Sequence, residues 1–180
     1  MPKPAPDLTW ANYVSYPANI VSREEVGAVF TKDISTEIEI EGTPEEVWGV
    51  LADLPKWPEW NPGVKSMEGE LAMGSRLRFS SALKSGRQLK FRPRVLVVEP
   101  GRELRWLGRV IAPGLFDGWH RHQIRASAPG RVTYVQSERF RGLLVPFLRR
   151  MIEQDTVESF QATNEALASR VAEVRAWKAA

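Results

Sequence analysis

The sequence predicts an α+β fold in which a seven-stranded antiparallel sheet wraps around one long C-terminal helix, with two short helices after the first strand. Two observations carry this prediction. Between about Gly142 and Lys178, apolar residues recur every three or four positions, so they share one face of a helix. Upstream, seven short stretches with strand-type patterns are separated by short turns, which is typical of an antiparallel sheet. Only the run of strands is long enough to cover the apolar helix face, so we expect the two to pack together.

Composition limits the kinds of site that the chain can form. A chain of 180 residues is long enough for one domain with a substantial core. The absence of cysteine excludes disulfides, thiol nucleophiles and thiolate metal sites. No apolar run is long enough for a membrane span, and the N-terminus lacks the apolar segment of a signal peptide. We therefore expect a cytoplasmic protein.

The positive charge is concentrated in the middle of the chain. Residues 76–109 carry 10 basic and 2 acidic side chains, while the net charge of the whole chain is +3. A basic segment can bind nucleic acid, but these arginines alternate with apolar residues, as on the outer face of a sheet. Nucleic-acid binding would also need aromatic residues on that face, and Trp106 is predicted to point inward with Leu104. We therefore predict no nucleic-acid partner.

The first 30 residues differ from the remainder of the chain. Residues 1–30 show no helical or strand period and contain four prolines with scattered aromatic residues. Aromatic residues are depleted in disordered segments, so we expect an N-terminal arm that lies on the domain surface. The domain itself is predicted to span residues 31–180.

The predicted elements begin with a strand and two short helices. Residues 34–40 (ISTEIEI) alternate between apolar and polar side chains, which indicates a half-buried strand. Residues 43–46 (TPEE) predict a helix N-terminus, with a capping box and a proline in the first turn. A second short helix carries Trp57 and Trp60. The other six predicted strands are residues 64–70, 76–82, 89–98, 103–110, 119–126 and 131–140.

Several motifs occur in a characteristic order. A strand is followed by TPEEVW and then by W-x-x-W-N-P, with FDGWHRHQI and SERFRGLLVPFLRR further along. Over residues 34–175 this order resembles the SRPBCC superfamily, the helix-grip group that includes START lipid-transfer domains, birch-pollen-allergen-like proteins and polyketide cyclases/dehydratases. The resemblance implies a helix-grip fold with a ligand tunnel between sheet and helix. It also implies a small hydrophobic ligand, such as a lipid, a polyketide or another aromatic or isoprenoid-like molecule.

Polar side chains on the inward face of two strands are the most informative candidates. Strand alternation places both histidines of the chain, His120 and His122, on the same face as apolar Ile124. The next strand places Gln136 and Glu138 inward by the same argument. The predicted ligand-binding residues are Trp57, Trp60, Phe79, Trp106, His120, His122, Tyr134, Gln136, Phe160 and Asn164.

Three interpretations of the inward polar residues stay open. A buried glutamate needs a partner, so we expect His120 and Glu138 to lie within interaction distance. The first interpretation is a structural polar network. The second makes His120 and Glu138 catalytic residues, an acid–base pair acting on a bound carbonyl compound. The third is a metal site formed by His120, His122 and Glu138, but nothing in the sequence marks a preferred metal, so we predict no metal and no cofactor.

The function classes follow from these alternatives. The chain is either a binding protein for a small hydrophobic molecule or a cyclase/dehydratase-type enzyme that uses His120 and Glu138. A third class is a partner-binding accessory domain with a filled interior. No specific catalytic motif is present, so we place binding first and leave catalytic turnover open. Trp57 and Trp60 are expected at the entrance of the ligand tunnel, opposite the apolar loop 111–116. This loop is also a candidate for transient membrane contact. The oligomeric state is not predicted.

Overall fold

A computed structural model describes residues 27, 29–82 and 88–179. Most of the predicted N-terminal arm, residues 1–30, lies outside the described residues, so the domain boundary stays a prediction. The strands are β1 (Thr31–Glu41), β2 (Val64–Glu68), β3 (Arg78–Ala82), β4 (Gln88–Phe91), β5 (Arg94–Glu99), β6 (Glu103–Val110), β7 (Phe116–Ala128) and β8 (Arg131–Arg141). The α-helices are α1 (Pro44–Ala52), α2 (Trp57–Trp60), α3 (Val145–Met151) and α4 (Val157–Ala179), with a 3-10 turn at Leu54–Lys56 and a π-helical turn at Ile152–Thr156.

The fold class is confirmed, but the prediction of one seven-stranded sheet is wrong. Strands β1, β8, β7, β6 and β5 form a five-stranded antiparallel sheet, and β2, β3 and β4 form a separate three-stranded one. The predicted strand 89–98 is divided at Pro93 into β4 and β5. Because proline has no N–H to donate, it cannot continue a strand ladder. Backbone contacts join the two sheets there, since Leu77 N donates to Pro93 O at 2.9 Å.

The predicted C-terminal helix is confirmed, with one irregularity. It runs from α3 through the π-helical turn into α4 without leaving helical geometry. Its inner face buries Phe160, Leu167 and Val171, as the three- and four-residue spacing predicts. The polar residues Thr163 and Asn164 are buried on the same helix, which places hydrogen-bonding groups under the sheet. No helix of the described part of the chain is long and apolar enough to cross a membrane.

The segment between β1 and β2 is fixed by local hydrogen bonds. The predicted capping box is present, with Glu46 N donating to Thr43 Oγ1 at 3.3 Å and Thr43 N donating to the Glu46 carboxylate at 2.8 Å. Buried Asn61, in the W-x-x-W-N-P motif, accepts hydrogen bonds from Gly63 N and from Thr163 Oγ1. This motif therefore holds α2 against α4.

Among the described residues, the core consists of two apolar clusters. The larger lies under α1 and the middle of the five-stranded sheet, and includes Leu51, Leu104 and Leu167. The smaller lies under the start of the C-terminal helix. His120 joins them, because its ring contacts Trp106 beside the larger cluster and Phe160 in the smaller one. The members of the smaller cluster are Ile34, Phe140, Val145, Ile152 and Phe160.

Candidate functional site

The inward polar residues of β7 and β8 lie opposite one another in the sheet. In the β7–β8 register, His120 faces Glu138 and His122 faces Gln136. The prediction that His120 and Glu138 lie on adjacent strands and interact is confirmed, since His120 Nδ1 is 3.2 Å from Glu138 Oε2. The ring of His120 also contacts Phe160 on α4, so it points toward the helix. The functional roles of these residues stay predictions.

Both ring nitrogens of His120 have partners. The amide nitrogen of Gln136 lies 3.1 Å from His120 Nε2, and an amide N–H can only donate. His120 Nε2 therefore accepts, and its Nδ1–H donates to the Glu138 carboxylate. The ring is stacked on Trp106 at a centroid distance of 4.9 Å, and the edge contact with Phe160 is 5.0 Å. These contacts fix the imidazole in one orientation between the two core clusters.

Gly118 provides the space for the Glu138 carboxylate. A Cβ atom at residue 118 would lie 2.3 Å from Glu138 Oε1, which is far inside van der Waals contact. Gly108, its cross-strand partner on β6, has no such neighbour, because a Cβ there would lie 3.9 Å from the nearest atom. Gly118 was not among the predicted site residues, although a single glycine inside a strand pattern indicates that another group approaches closely.

His122 differs from His120 in having one free nitrogen. Burial, and to a smaller extent the electrostatic effect of protonating both neighbouring histidines, lower the pKa of His122 well below its usual value, so the ring is neutral at pH 7. Its Nδ1 lies 2.5 Å from the hydroxyl of Tyr134, and burial raises the pKa of that phenol. The phenol therefore stays protonated, and its O–H can donate to Nδ1; in that tautomer the His122 proton lies on Nε2. Nε2 has no hydrogen-bond partner among the described residues.

Three buried polar atoms of this cluster, including His122 Nε2, have no hydrogen-bond partner among the described residues. Besides His122 Nε2, the side-chain oxygens of Gln136 and Asn164 have no hydrogen-bond partner in the described part of the chain. Asn164 belongs to the cluster because its amide nitrogen donates to Thr36 Oγ1 at 3.0 Å, and Thr36 pairs with Gln136 across β1 and β8. Buried polar groups are nearly always hydrogen-bonded, so three such atoms in one cluster need an explanation. With the His122 proton on Nε2, they offer one N–H donor and two oxygen acceptors.

The predicted aromatic site residues do not all lie at the polar cluster. Trp57 is only 3% exposed, donates its indole N–H to Leu51 O and lies 5.7 Å from the His122 ring. It is therefore a core residue beside the polar cluster and does not line an open entrance. Trp60 is half-buried against Trp57, and Phe79 stacks on Phe91 in the three-stranded sheet.

Two pockets formed by described residues lie on the surface, outside the space between sheet and helix. One of about 220 Å³ lies between α1 and the second half of α4, and one of about 600 Å³ lies on the outer face of the five-stranded sheet. The interior around His120 and His122 is filled by their own rings, Trp57 and Trp106. No group of three metal-binding side chains in the described ranges is arranged to hold an ion.

Comparisons with known proteins agree with this architecture. The family model described as polyketide cyclase / dehydrase and lipid transport matches residues 31–172. Among solved structures, the di-domain ARO/CYC StfQ from the steffimycin biosynthetic pathway is similar, with a TM-score of 0.70, 17% identity and coverage of 86% of this chain and 55% of that one. The chain thus spans about half the length of StfQ. The search of curated proteins found no match.

Two single-domain structures are also similar. The Zhui aromatase/cyclase from Streptomyces sp. R1128 gives a TM-score of 0.64 with 17% identity, covering 78% of this chain and 93% of that one. A START superfamily protein from Mycobacterium smegmatis gives 0.59 with 19% identity, covering 79% and 98%. At these identities the likeness concerns the fold. Since the family model matches most of the chain, this protein belongs to the polyketide cyclase/dehydrase and lipid transport family of the SRPBCC superfamily.

Proposed function

We propose that the protein binds a small hydrophobic molecule that carries a hydroxyl group, with the hydroxyl placed among His122, Gln136 and Asn164. The observation that carries this proposal is the set of three buried polar atoms without partners. Leaving a buried polar atom unpaired costs about 1–3 kcal/mol, so a ligand group that pairs with these atoms would be strongly favoured over an apolar one.

The donor and acceptor pattern favours a hydroxyl over a carbonyl. A hydroxyl can accept the N–H of His122 and donate its own proton to the side-chain oxygen of Gln136 or Asn164. A carbonyl group can only accept, so it would leave both amide oxygens unpaired. Phenols, enols and sterol-like alcohols therefore fit this cluster, and all three classes are compatible with the family's association with polyketides and lipids.

The apolar part of the ligand would lie against the aromatic side chains beside the cluster. Trp57 and Trp106 contact the His122 ring, and Trp60 and Phe79 pack at the edge of the same core. Because these rings now fill the interior, binding requires some of them to move. Since Asn61 holds α2 against α4, we expect the half-buried side chain of Trp60, at the end of α2, to move and not the helix.

Calorimetric titration with a matched ligand pair tests the proposal. The pair is 2-naphthol and 2-methylnaphthalene, which have nearly the same shape and differ by a hydroxyl in place of a methyl group. We expect the wild-type protein to prefer 2-naphthol by about tenfold or more, because only the hydroxyl pairs with the cluster. The Asn164→Leu variant should lose most of that preference, while Ser137→Ala, which alters the outward neighbour of Gln136, should keep it.

Three results would contradict the proposal. Equal affinity of the wild-type protein for both ligands would show that the polar cluster does not bind the hydroxyl group. An unchanged preference in Asn164→Leu would remove Asn164 from the site. Binding of neither ligand, with both variants folded, would favour an accessory domain with a filled interior.

A second candidate, a cyclase/dehydratase-type enzyme, is favoured by the His120–Glu138 contact. The two side chains are 13% and 17% exposed, so the pair is shielded but reachable. In this mechanism the imidazole would exchange a proton with a bound polyketide-like substrate while Glu138 orients it. Since Gln136 occupies His120 Nε2, it would have to rotate away first. Glu138→Gln should abolish turnover of a poly-β-keto substrate while leaving its affinity nearly unchanged; unchanged turnover excludes this role.

A further inference from the structure

Large apolar side chains are exposed together at one end of the molecule, in a region that we call the end patch. Ile111, in the β6–β7 loop, is 82% exposed, and Phe147, in the first turn of α3, is 84% exposed. Backbone hydrogen bonds join the two segments, since Leu143 N donates to Gly114 O at 3.1 Å and Leu144 N to Leu115 O at 3.0 Å. The end patch consists of Val110, Ile111, Leu143, Phe147 and Met151.

Local stability does not explain the exposed position of Ile111. Its φ of 70° lies in the left-handed region, which is strained for a β-branched residue. An exposed isoleucine gains nothing from burial, and its backbone conformation costs free energy. Strain of this kind persists where the surroundings impose it and where the side chain has a function. The connection to α3 is tight, because a Cβ at Gly142 would lie 2.3 Å from Leu115 O.

Cationic side chains surround the end patch. Arg109 and Arg149 are about half exposed at 51% and 49%, and Arg141 and Arg150 are exposed as well. Together with Lys32, these are five cationic side chains against the three carboxylates of Asp117, Glu153 and Asp155. Lys32 and Arg149 pair with Glu153, and Arg109 pairs with Asp117, so the net excess is two positive charges. A set of large apolar side chains with a cationic rim is the combination that binds the surface of an anionic bilayer.

We infer that the end patch docks onto anionic lipid membranes, with Ile111 and Phe147 inserted at the boundary between headgroups and acyl chains. A second copy of the chain is a poorer occupant, because symmetric pairing would bring two cationic rims together. The inference is independent of the proposed ligand. The end patch is connected to the candidate site through the C-terminal helix. Val145 and Ile152, which lie beside the patch, are buried in the same apolar cluster as Phe160. Phe160 in turn contacts the ring of His120.

Vesicle co-sedimentation of the full chain tests the inference. The vesicles consist of phosphatidylcholine alone or of phosphatidylcholine mixed with phosphatidylglycerol. The wild-type protein should sediment with the anionic vesicles, much less with the neutral ones, and less at high salt. Phe147→Ser should weaken binding by about tenfold, because it removes one inserted aromatic side chain.

Two further variants separate insertion from folding. Ile111→Asn should also weaken vesicle binding, yet its melting temperature should not fall, because asparagine tolerates a positive φ. Trp177→Ser is the matched control: Trp177 is 81% exposed but lies roughly 45 Å from Phe147 along the helix, so binding should be unchanged. The inference is overturned if the wild-type protein binds neither kind of vesicle, if Phe147→Ser binds as well as wild type, or if Phe147→Ser instead abolishes a dimer.

Discussion

The two faces of β7 and β8 carry polar side chains in opposite situations. On the outer face, most charged groups are paired with each other: Glu103 accepts from both Arg105 and Arg121, and Arg139 forms a bidentate pair with Asp33. Of the buried side-chain atoms there, only Arg105 Nε and one oxygen of Asp117 lack a hydrogen-bond partner among the described residues, and both side chains form ion pairs. On the inner face, the polar groups are buried and incompletely matched, because His122, Gln136 and Asn164 each keep one unpaired atom among the described residues.

We interpret this difference as one between polar groups that stabilise the fold and polar groups that bind a ligand or take part in a reaction. Charges on the outer face gain their partners within the fold, and they are screened by water when exposed. Unpaired buried atoms reduce stability, so each needs an explanation such as a bound ligand, an ordered water or a role in a reaction. We therefore expect changes on the outer face to lower stability without affecting binding, and changes on the inner face to affect binding or titration more than stability.

The largest stability effect is expected on the outer face, for Glu103→Gln. Glu103 is buried beneath two guanidinium groups, and its replacement leaves Arg105 and Arg121 without their carboxylate. We expect the free energy of unfolding to fall by about 2 kcal/mol, less than for a fully buried pair because both arginines are partly exposed. Urea denaturation measures this, and ligand affinity should be unchanged. A loss below about 0.5 kcal/mol would show that the outer pairs do not stabilise the fold.

The pH dependence of the same interaction has a defined sign. Burial alone would raise the pKa of Glu103, but the hydrogen bond from Arg121 and the charges of Arg105 and Arg121 lower it overall. A lowered pKa in the folded state means that the stabilisation is complete above about pH 4.5 and is lost as the pH falls below that value. Glu103→Gln should therefore show a weaker loss of stability in acid than the wild type.

On the inner face, His122 should make stability depend on pH near neutrality. Its pKa is lowered by burial and by His120, so the unfolded chain takes up a proton near pH 6.5 that the folded protein does not. Stability is then complete above that pH and falls as the pH decreases, by about 1.4 kcal/mol between pH 7.5 and 5.5. Denaturation at a series of pH values should show this slope for the wild type and not for His122→Gln. The same slope in both proteins would mean that His122 is protonated in the folded state.

A smaller effect is expected from the two glycines that face each other across β6 and β7. Gly118→Ala forces the Glu138 carboxylate away from His120 and should cost about 1 kcal/mol, the value of one hydrogen bond. Gly108→Ala has room for its methyl group and should be neutral or slightly stabilising. The NMR signals of the His120 ring should shift only in Gly118→Ala. Equal effects of both substitutions would attribute the change to the strand backbone.

Strand alternation was sufficient to predict the pairing of His120 with Glu138, because cross-strand neighbours on one face follow from the period of two. The long helix followed in the same way from its apolar spacing. The division of the sheet at Pro93 was not predicted, because Leu89 and Phe91 alternate with basic residues and the apolar run Val95–Val98 follows, so residues 89–98 were interpreted as one strand despite the proline. The sequence also could not predict that His120 has partners at both ring nitrogens while His122 has a partner at only one. This difference depends on which nitrogen Gln136 and Tyr134 contact in three dimensions.

The exposed end patch was only partly foreseen. The apolar character of loop 111–116 is visible in the sequence, and Phe147 lies off the apolar face of the predicted helix. Their proximity, however, results from the backbone pairing of Gly114 with Leu143. Such contacts between a loop and a helix start have no periodic signal.

The most direct test of the account is the side-chain ¹⁵N NMR spectrum of the two histidines, recorded with and without ligand. We expect His122 to be neutral and protonated at Nε2. Addition of 2-naphthol should shift the His122 Nε2 resonance, because the hydroxyl becomes its hydrogen-bond partner, whereas 2-methylnaphthalene should leave that resonance nearly unchanged. A His122 ring protonated at Nδ1, or an Nε2 resonance that responds equally to both ligands, would contradict the claim that the inner polar cluster is a hydroxyl site.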